Sequence, residues 1–272
     1  MNVTARAGQA GREADDSEWM DHAVRVGLVS YGVVHLIIAY LAVRLALGDS
    51  GGQASSTGAF QQLREHTAGM ITLYVVALGF VALVVWQAIE AGWGHREEED
   101  GKRLRKRLVS GAKVVIYASL AFSAFSTASG SSSGGGGTDG YTATVMQMPG
   151  GTLIVGAVGL GIVVVAGFLG YRGWTEKFRS KLQSEGQSGR EGRTYVLVGK
   201  VGYLAKAVAF TIVGLLFVWA AVTHDPQKSG GLDQALRELL QQPFGAVLLV
   251  VVGLGLACYG AFCFAWARHL DR

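Results

Sequence analysis

The 272-residue sequence is half hydrophobic and only 16% charged, with a mean hydropathy of +0.33, which leaves too little polar surface to wrap an ordinary soluble domain. Its formal charge of +4 is carried by basic clusters between apolar runs instead of one basic face, which argues against a nucleic-acid partner. The composition therefore points to an all-α integral membrane protein.

Residues 1–18 are polar and lack the apolar core and small-residue cleavage site of a secretory signal, so they are expected to remain as a flexible cytoplasmic tail. Six apolar runs follow, grouped in pairs. Residues 19–95 hold Val26–Leu47 and Met70–Ile89; residues 101–182 hold Leu108–Ala128 and Thr152–Gly170; residues 190–272 hold Val196–Val222 and Phe244–Ala267. Each run is long enough to cross about 30 Å of hydrocarbon as a helix. None alternates with period two, which excludes a strand barrel. Cys258 and Cys263 lie in the last run at a spacing that fits neither a zinc site nor a disulfide framework.

Lys and Arg fall very unevenly about these runs. The N-terminal tail, the second and fourth loops and the C-terminus carry 18 of them, and the opposite side carries four: Arg44, Arg64, Lys228 and Arg237. The positive-inside rule then places both termini in the cytoplasm.

The pairs are copies of one another. A shift of 82 residues, then of 93, superposes Arg25, Arg107 and Lys200; Ser30, Ala112 and Ala205; Tyr31, Lys113 and Lys206; and His35, Tyr117 and Phe210. The second member of each pair aligns with shifts of 82 and 94, bringing together Gly69, Gly151 and Gly245, and Gly79, Gly161 and Gly255. Three tandem hairpins inserted in the same direction are predicted, arranged as a pseudo-threefold bundle. Each has a Gly-rich outer connector and a short outer segment; the third, with leucines at 232, 236, 239 and 240, suits a helix lying in the membrane interface.

The opening "GLVSYGVVHLIIAYLAVRLALG" of the first hairpin, the Gly-rich outer loops, "QQPFG" and "VVGLGLACYGAF" together resemble the bacterial domain-of-unknown-function family 1206. The resemblance covers residues 19–270. It implies a small polytopic membrane protein of actinobacteria and relatives built from repeated two-span units, and it supplies no functional residues.

Catalytic motifs are weak. Ser110–Lys113 has the Ser-x-x-Lys spacing without its companion elements, and "GSSSG" at 130–134 has the Gly-x-Ser-x-Gly spacing in a floppy loop instead of a strand-to-helix elbow. No metal cluster, cofactor motif or nucleotide loop is expected. His35 lies mid-span without a second histidine at its depth, so it reads with Tyr117 as an intramembrane polar packing residue. Lys113 and Lys206, with Tyr31 at the equivalent place, lie beneath a collar of Arg25, Arg107 and Lys200, and Glu90 ends the second span at the same level. Three roles suit the lysines: snorkelling to headgroups, an ion pair with Glu90, or an anionic-lipid site.

The sequence thus predicts a non-enzymatic, multi-pass protein of the bacterial cytoplasmic membrane, binding lipid or serving as an accessory subunit of a larger membrane complex. The alternative is a small transporter or channel with a path along the pseudo-threefold axis.

Overall fold

Every apolar run is helical but for Leu47 and Phe244 at two run ends, because a backbone surrounded by hydrocarbon must satisfy its own hydrogen bonds. The computed structural model describes residues 18–49, 51–65, 67–94, 100–130 and 138–270. They form α1 (Glu18–Ala46), α2 (Ser56–Arg64), α3 (Thr67–Gly92), α4 (Asp100–Ala128), α5 (Thr138–Met146), α6 (Gly151–Trp174), α7 (Gly189–Thr223), α8 (Leu232–Leu240) and α9 (Gly245–Arg268). Helices α1, α3, α4, α6, α7 and α9 are long and apolar enough to cross a membrane. The tail before residue 18, the His95–Glu99 stretch and most of the serine-glycine loop (131–137) lie outside the described residues.

Several helices outrun their apolar cores. Helix α7 has 35 residues, or about 52 Å at 1.5 Å per residue, against a hydrocarbon layer of about 30 Å. Its excess is the "GREGRTY" stretch, and α4 likewise begins at Asp100 and runs through the basic stretch Lys102–Arg107. Lys, Arg and Leu are good helix formers, so the helix continues where apolarity stops. The end of the bundle carrying these runs is called the basic end below; α2, α5 and α8 lie at the opposite end.

Each short helix turns directly into the next long one, and the three aligned glycines make that possible. A Cβ on Gly69, Gly151 or Gly245 would strike the carbonyl oxygen of Leu63, Val145 or Leu240 respectively. Gly150 and Phe244, at φ 75° and 60°, reverse the chain just before α6 and α9. Asp233 on α8 accepts hydrogen bonds from the Ala54 amide at 2.7 Å and from Arg237 at 2.8 Å, and Arg237 also donates to the Gly52 carbonyl at 3.0 Å. This tie fastens the outer helix of the third hairpin to the connector of the first.

The long helices follow the order of a ring: α4, α3, α1, α9, α7, α6. The most extensive packing lies between hairpins, at α6/α7, α9/α1 and α3/α4. Equivalent small residues make all three junctions. Gly159 and Gly214 approach so closely that a Cβ on either would lie 2.8 Å from the other's carbonyl oxygen; Gly253 lies against the Ala39 carbonyl; and their counterparts Ala77 and Ala121 are buried. Such residues let helix backbones approach in lipid.

Within hairpins the symmetry breaks. Helix α1 packs on α3, and α7 on α9, but α4 and α6 form no comparable backbone packing among the described residues. The hairpins thus form a ring with one open seam, inside the second repeat. Helices α4 and α6 are also the least buried of the six spans.

Candidate functional site

The middle of the ring is filled with rings. Tyr31 on α1 stands edge-on to His35, Phe80, Tyr117 and Tyr259, with centroids 4.4 to 6.2 Å apart. Towards the basic end, Tyr203 continues the cluster through Tyr259 and Phe262. The His35 Nδ1 lies 2.9 Å from the Tyr31 carbonyl oxygen one turn earlier. Both intramembrane polar residues singled out from sequence, His35 and Tyr117, therefore face this interior.

Lys206 enters the cluster from α7. It is only 6% exposed; its Nζ donates to the Tyr31 hydroxyl at 2.7 Å and lies 4.1 Å from the centre of the Tyr259 ring and 5.7 Å from that of Phe210. Aromatic faces and a phenol oxygen replace part of an ammonium's hydration. They do not replace a counter-charge.

A second lysine reaches the same interior from the basic end. After α6 the chain folds back under the bundle through two short 3-10 turns, Lys177–Lys181 and Ser184–Gln187. Phe178 is buried there, stacked on Tyr203 at 5.1 Å and edge-on to Phe262 at 5.1 Å. Gly199 makes room, since a Cβ on it would lie 2.6 Å from the Phe178 ring. The Gln183 amide then donates to the His269 carbonyl at 2.9 Å. This anchoring points Lys181 inwards, where its Nζ donates to the Tyr203 hydroxyl at 2.8 Å and lies 3.7 Å from the centre of the Trp266 ring. Burial, reinforced by Arg172, Lys113 and Lys206, holds the Lys181 ammonium well below the ordinary lysine range. The Trp266 Nε1 is itself buried without a hydrogen-bond partner among the described residues.

Lys113, on α4, is half-buried and lies within electrostatic range of Arg172 on α6 and Glu90 on α3. Four cations, Lys113, Arg172, Lys181 and Lys206, therefore act on one another near the basic end. None of the four forms an ion pair among the described residues. The three collar residues lead elsewhere. Lys200 pairs with Glu176 at 3.3 Å, Arg107 donates to the Gly94 carbonyl at 3.3 Å, and Arg25 is exposed. At the opposite end, a broad recess lined by Leu36, Tyr40, Leu63 and Thr72 has no charged side chain in its wall among the described residues.

Three stretches, residues 26–94, 109–176 and 201–269, match the family described as Domain of Unknown Function (DUF1206), one stretch in each hairpin. The chain belongs to this family. The chain is also similar to the uncharacterized protein YxxB of Bacillus subtilis (strain 168), 29% identical over 251 residues that cover 90% of this chain and 89% of that protein. No solved structure matches.

Sequence reasoning about this DUF1206 chain missed Arg172, Lys181, Tyr203 and Tyr259. The repeat register held a signal for two of them. Arg172 occupies the place of Glu90 and Trp266, a reversal of charge at a shared position, and Tyr259 that of Leu83 and Val165, a polar departure. Lys181 lies in a connection with no register, and only the burial of Phe178 brings it inside.

Proposed function

We propose that this chain is a non-enzymatic protein of the bacterial cytoplasmic membrane that binds an anionic lipid near its basic end, with that end and both termini in the cytoplasm. The observation that carries this reading is the set of four cations around one interior, none of them ion-paired among the described residues though Glu90 lies within range of Lys113, with Lys206 almost wholly buried. Buried charge is costly unless compensated. An anionic headgroup between Lys113, Arg172 and Lys181 would supply the counter-charge, and basic residues at the membrane surface each attract such lipid by about 1 kcal/mol. The edge-to-face cluster of Tyr31, Tyr117, Tyr203 and Tyr259 across the middle of the ring favours lateral binding over permeation along the axis.

The test is native mass spectrometry of protein extracted from vesicles of phosphatidylglycerol and phosphatidylethanolamine. The double variant Lys113→Gln with Lys206→Gln is expected to lose bound phosphatidylglycerol, and Lys177→Gln, in the exposed connection, to keep it. Equal retention by both variants overturns the reading. So does inorganic phosphate fully displacing the lipid at millimolar concentration, which would identify a site for a free anion. Orientation is tested with single cysteines in a background lacking Cys258 and Cys263: Thr57→Cys is expected to react with an impermeant maleimide in intact cells, and Arg193→Cys to be protected. Reversed labelling would sink the topology.

A further inference from the structure

The open seam of the second hairpin has a geometry that the other two hairpins define. Gly79 lies against Ser30 on its partner helix, where a Cβ would overlap the serine Oγ, and Gly255 lies against Ala205 so closely that two Cβ atoms would overlap. Gly161 occupies the same register, opposite Ala112. Among the described residues nothing lies within 4 Å of where its Cβ would be, and Ala112 is exposed. The next contact towards the basic end repeats the pattern: Gly27 packs on Leu83 and Gly202 on Tyr259, but their equivalents Val109 and Val165 are 51% and 50% exposed.

The charges run parallel to the packing. At the level of Tyr31 and Glu90 in the first hairpin, and of Lys206 and Trp266 in the third, the second presents Lys113 and Arg172, two cations within electrostatic range of each other across the seam. The result is a seam that leaves small and aliphatic side chains open on both helices and ends at two like charges, with Glu90 also within range of Lys113. A lipid has the matching layout, an anionic headgroup continuous with a hydrocarbon chain.

We propose that the seam between α4 and α6 is the lateral binding slot of the anionic lipid, its hydrocarbon chain lying along Val109, Ala112, Gly161 and Val165 while its headgroup bridges Lys113 and Arg172. This rests on the lipid-binding reading above and names where the chain lies. The lipid replaces the helix-to-helix contact that closes the sister hairpins. Its headgroup neutralises the cation pair, and its chain covers surface that the absent contact leaves open.

The experiment fills the slot. Gly161→Trp places a bulky side chain in space that none of the described residues occupies, and Ala112→Trp places one at an exposed position, so each variant is expected to fold and to melt as the parent does. Each is expected to retain about tenfold less phosphatidylglycerol in native mass spectra. The matching change in the first hairpin, Gly79→Trp, tests the comparison by destabilising the fold. If Lys113→Gln with Lys206→Gln releases lipid but both tryptophan variants keep it, the slot is overturned and the headgroup site stands. If none of the variants releases lipid, the lipid-binding reading itself fails. A parent that runs as a dimer and becomes a monomer on Gly161→Trp would show the seam to be occupied by a second copy, which also overturns the slot.

Discussion

The second hairpin and the third contain nearly the same register of residues and pack differently. In the third, Gly202 and Gly255 bring α7 and α9 into backbone contact. In the second, Gly161 is retained, Val109 replaces the other glycine, and Lys113 faces Arg172 where the third hairpin has Lys206 and Trp266. A valine cannot occupy a contact that leaves no room for a Cβ, and two cations in a poorly screened place resist approach. The comparison teaches that closure of a hairpin here depends on two positions, one steric and one electrostatic, and not on the repeat as a whole. The contacts between hairpins show the converse, since Gly159 with Gly214 and Gly253 with Ala39 preserve one geometry around the ring.

The largest effect is expected from moving the second hairpin's residue into the third. Gly202→Val sets a branched side chain 2.5 Å from the Tyr259 backbone, and overpacking against a backbone that cannot yield costs about 3 kcal/mol or more. A sharp drop in thermal midpoint in detergent is expected. The reverse change, Val109→Gly, alters an exposed site and is expected to cost only about 1 kcal/mol, the helix penalty of glycine. Similar melting curves for the two variants would break the comparison.

A smaller effect is expected from reversing one charge at the seam. Arg172→Glu replaces repulsion from Lys113 with attraction, worth at most about 1 kcal/mol for a partly exposed pair. Its readout is structural: a cysteine pair at Ala112 and Gly161 is expected to form a disulfide faster in this variant than with Arg172 present. An unchanged rate would show that Val109 alone keeps the seam apart.

The smallest effect concerns pH. As pH rises through the lowered Lys181 value towards the ordinary lysine value near ~10.4, the folded protein gives up a proton that the unfolded chain still holds. Stability therefore increases with pH in that window, and below it both states are charged and the slope vanishes. Thermal midpoints of lipid-free protein are expected to climb through the alkaline range, less steeply in Lys181→Gln. Parallel curves would remove Lys181 from the buried set.

Much of the fold was legible because hydrocarbon imposes a simple code. Six apolar runs became six helices, and a constant offset between Gly79, Gly161 and Gly255 marked the repeat. The same offset misleads about packing, since it equates Gly161 with its sisters and only the structure reveals that none of the described residues packs against it. Of the candidate site, Tyr31 with Lys206 was readable from equivalence, which puts both at one depth on different helices. The collar was not: Lys200 is drawn to Glu176, a residue in an irregular turn at φ 57° that no periodicity marks. Lys181 escaped notice for the same reason.

The packing of α1 on α9 sets a schedule for biosynthesis. Gly32 and Gly260 face each other across that junction, a Cβ on either lying 2.9 Å from the other's carbonyl oxygen. They are roughly 230 residues apart, so at ~5–20 residues per second the ribosome delivers the partner about 10–45 seconds after the first helix has emerged. Throughout that interval the Gly32 face of α1 has only lipid tails, or an insertion chaperone, for company. That face of α1 thus meets α9 only once Gly245–Arg268 has been made, although α3, the other neighbour of α1, arrives far sooner.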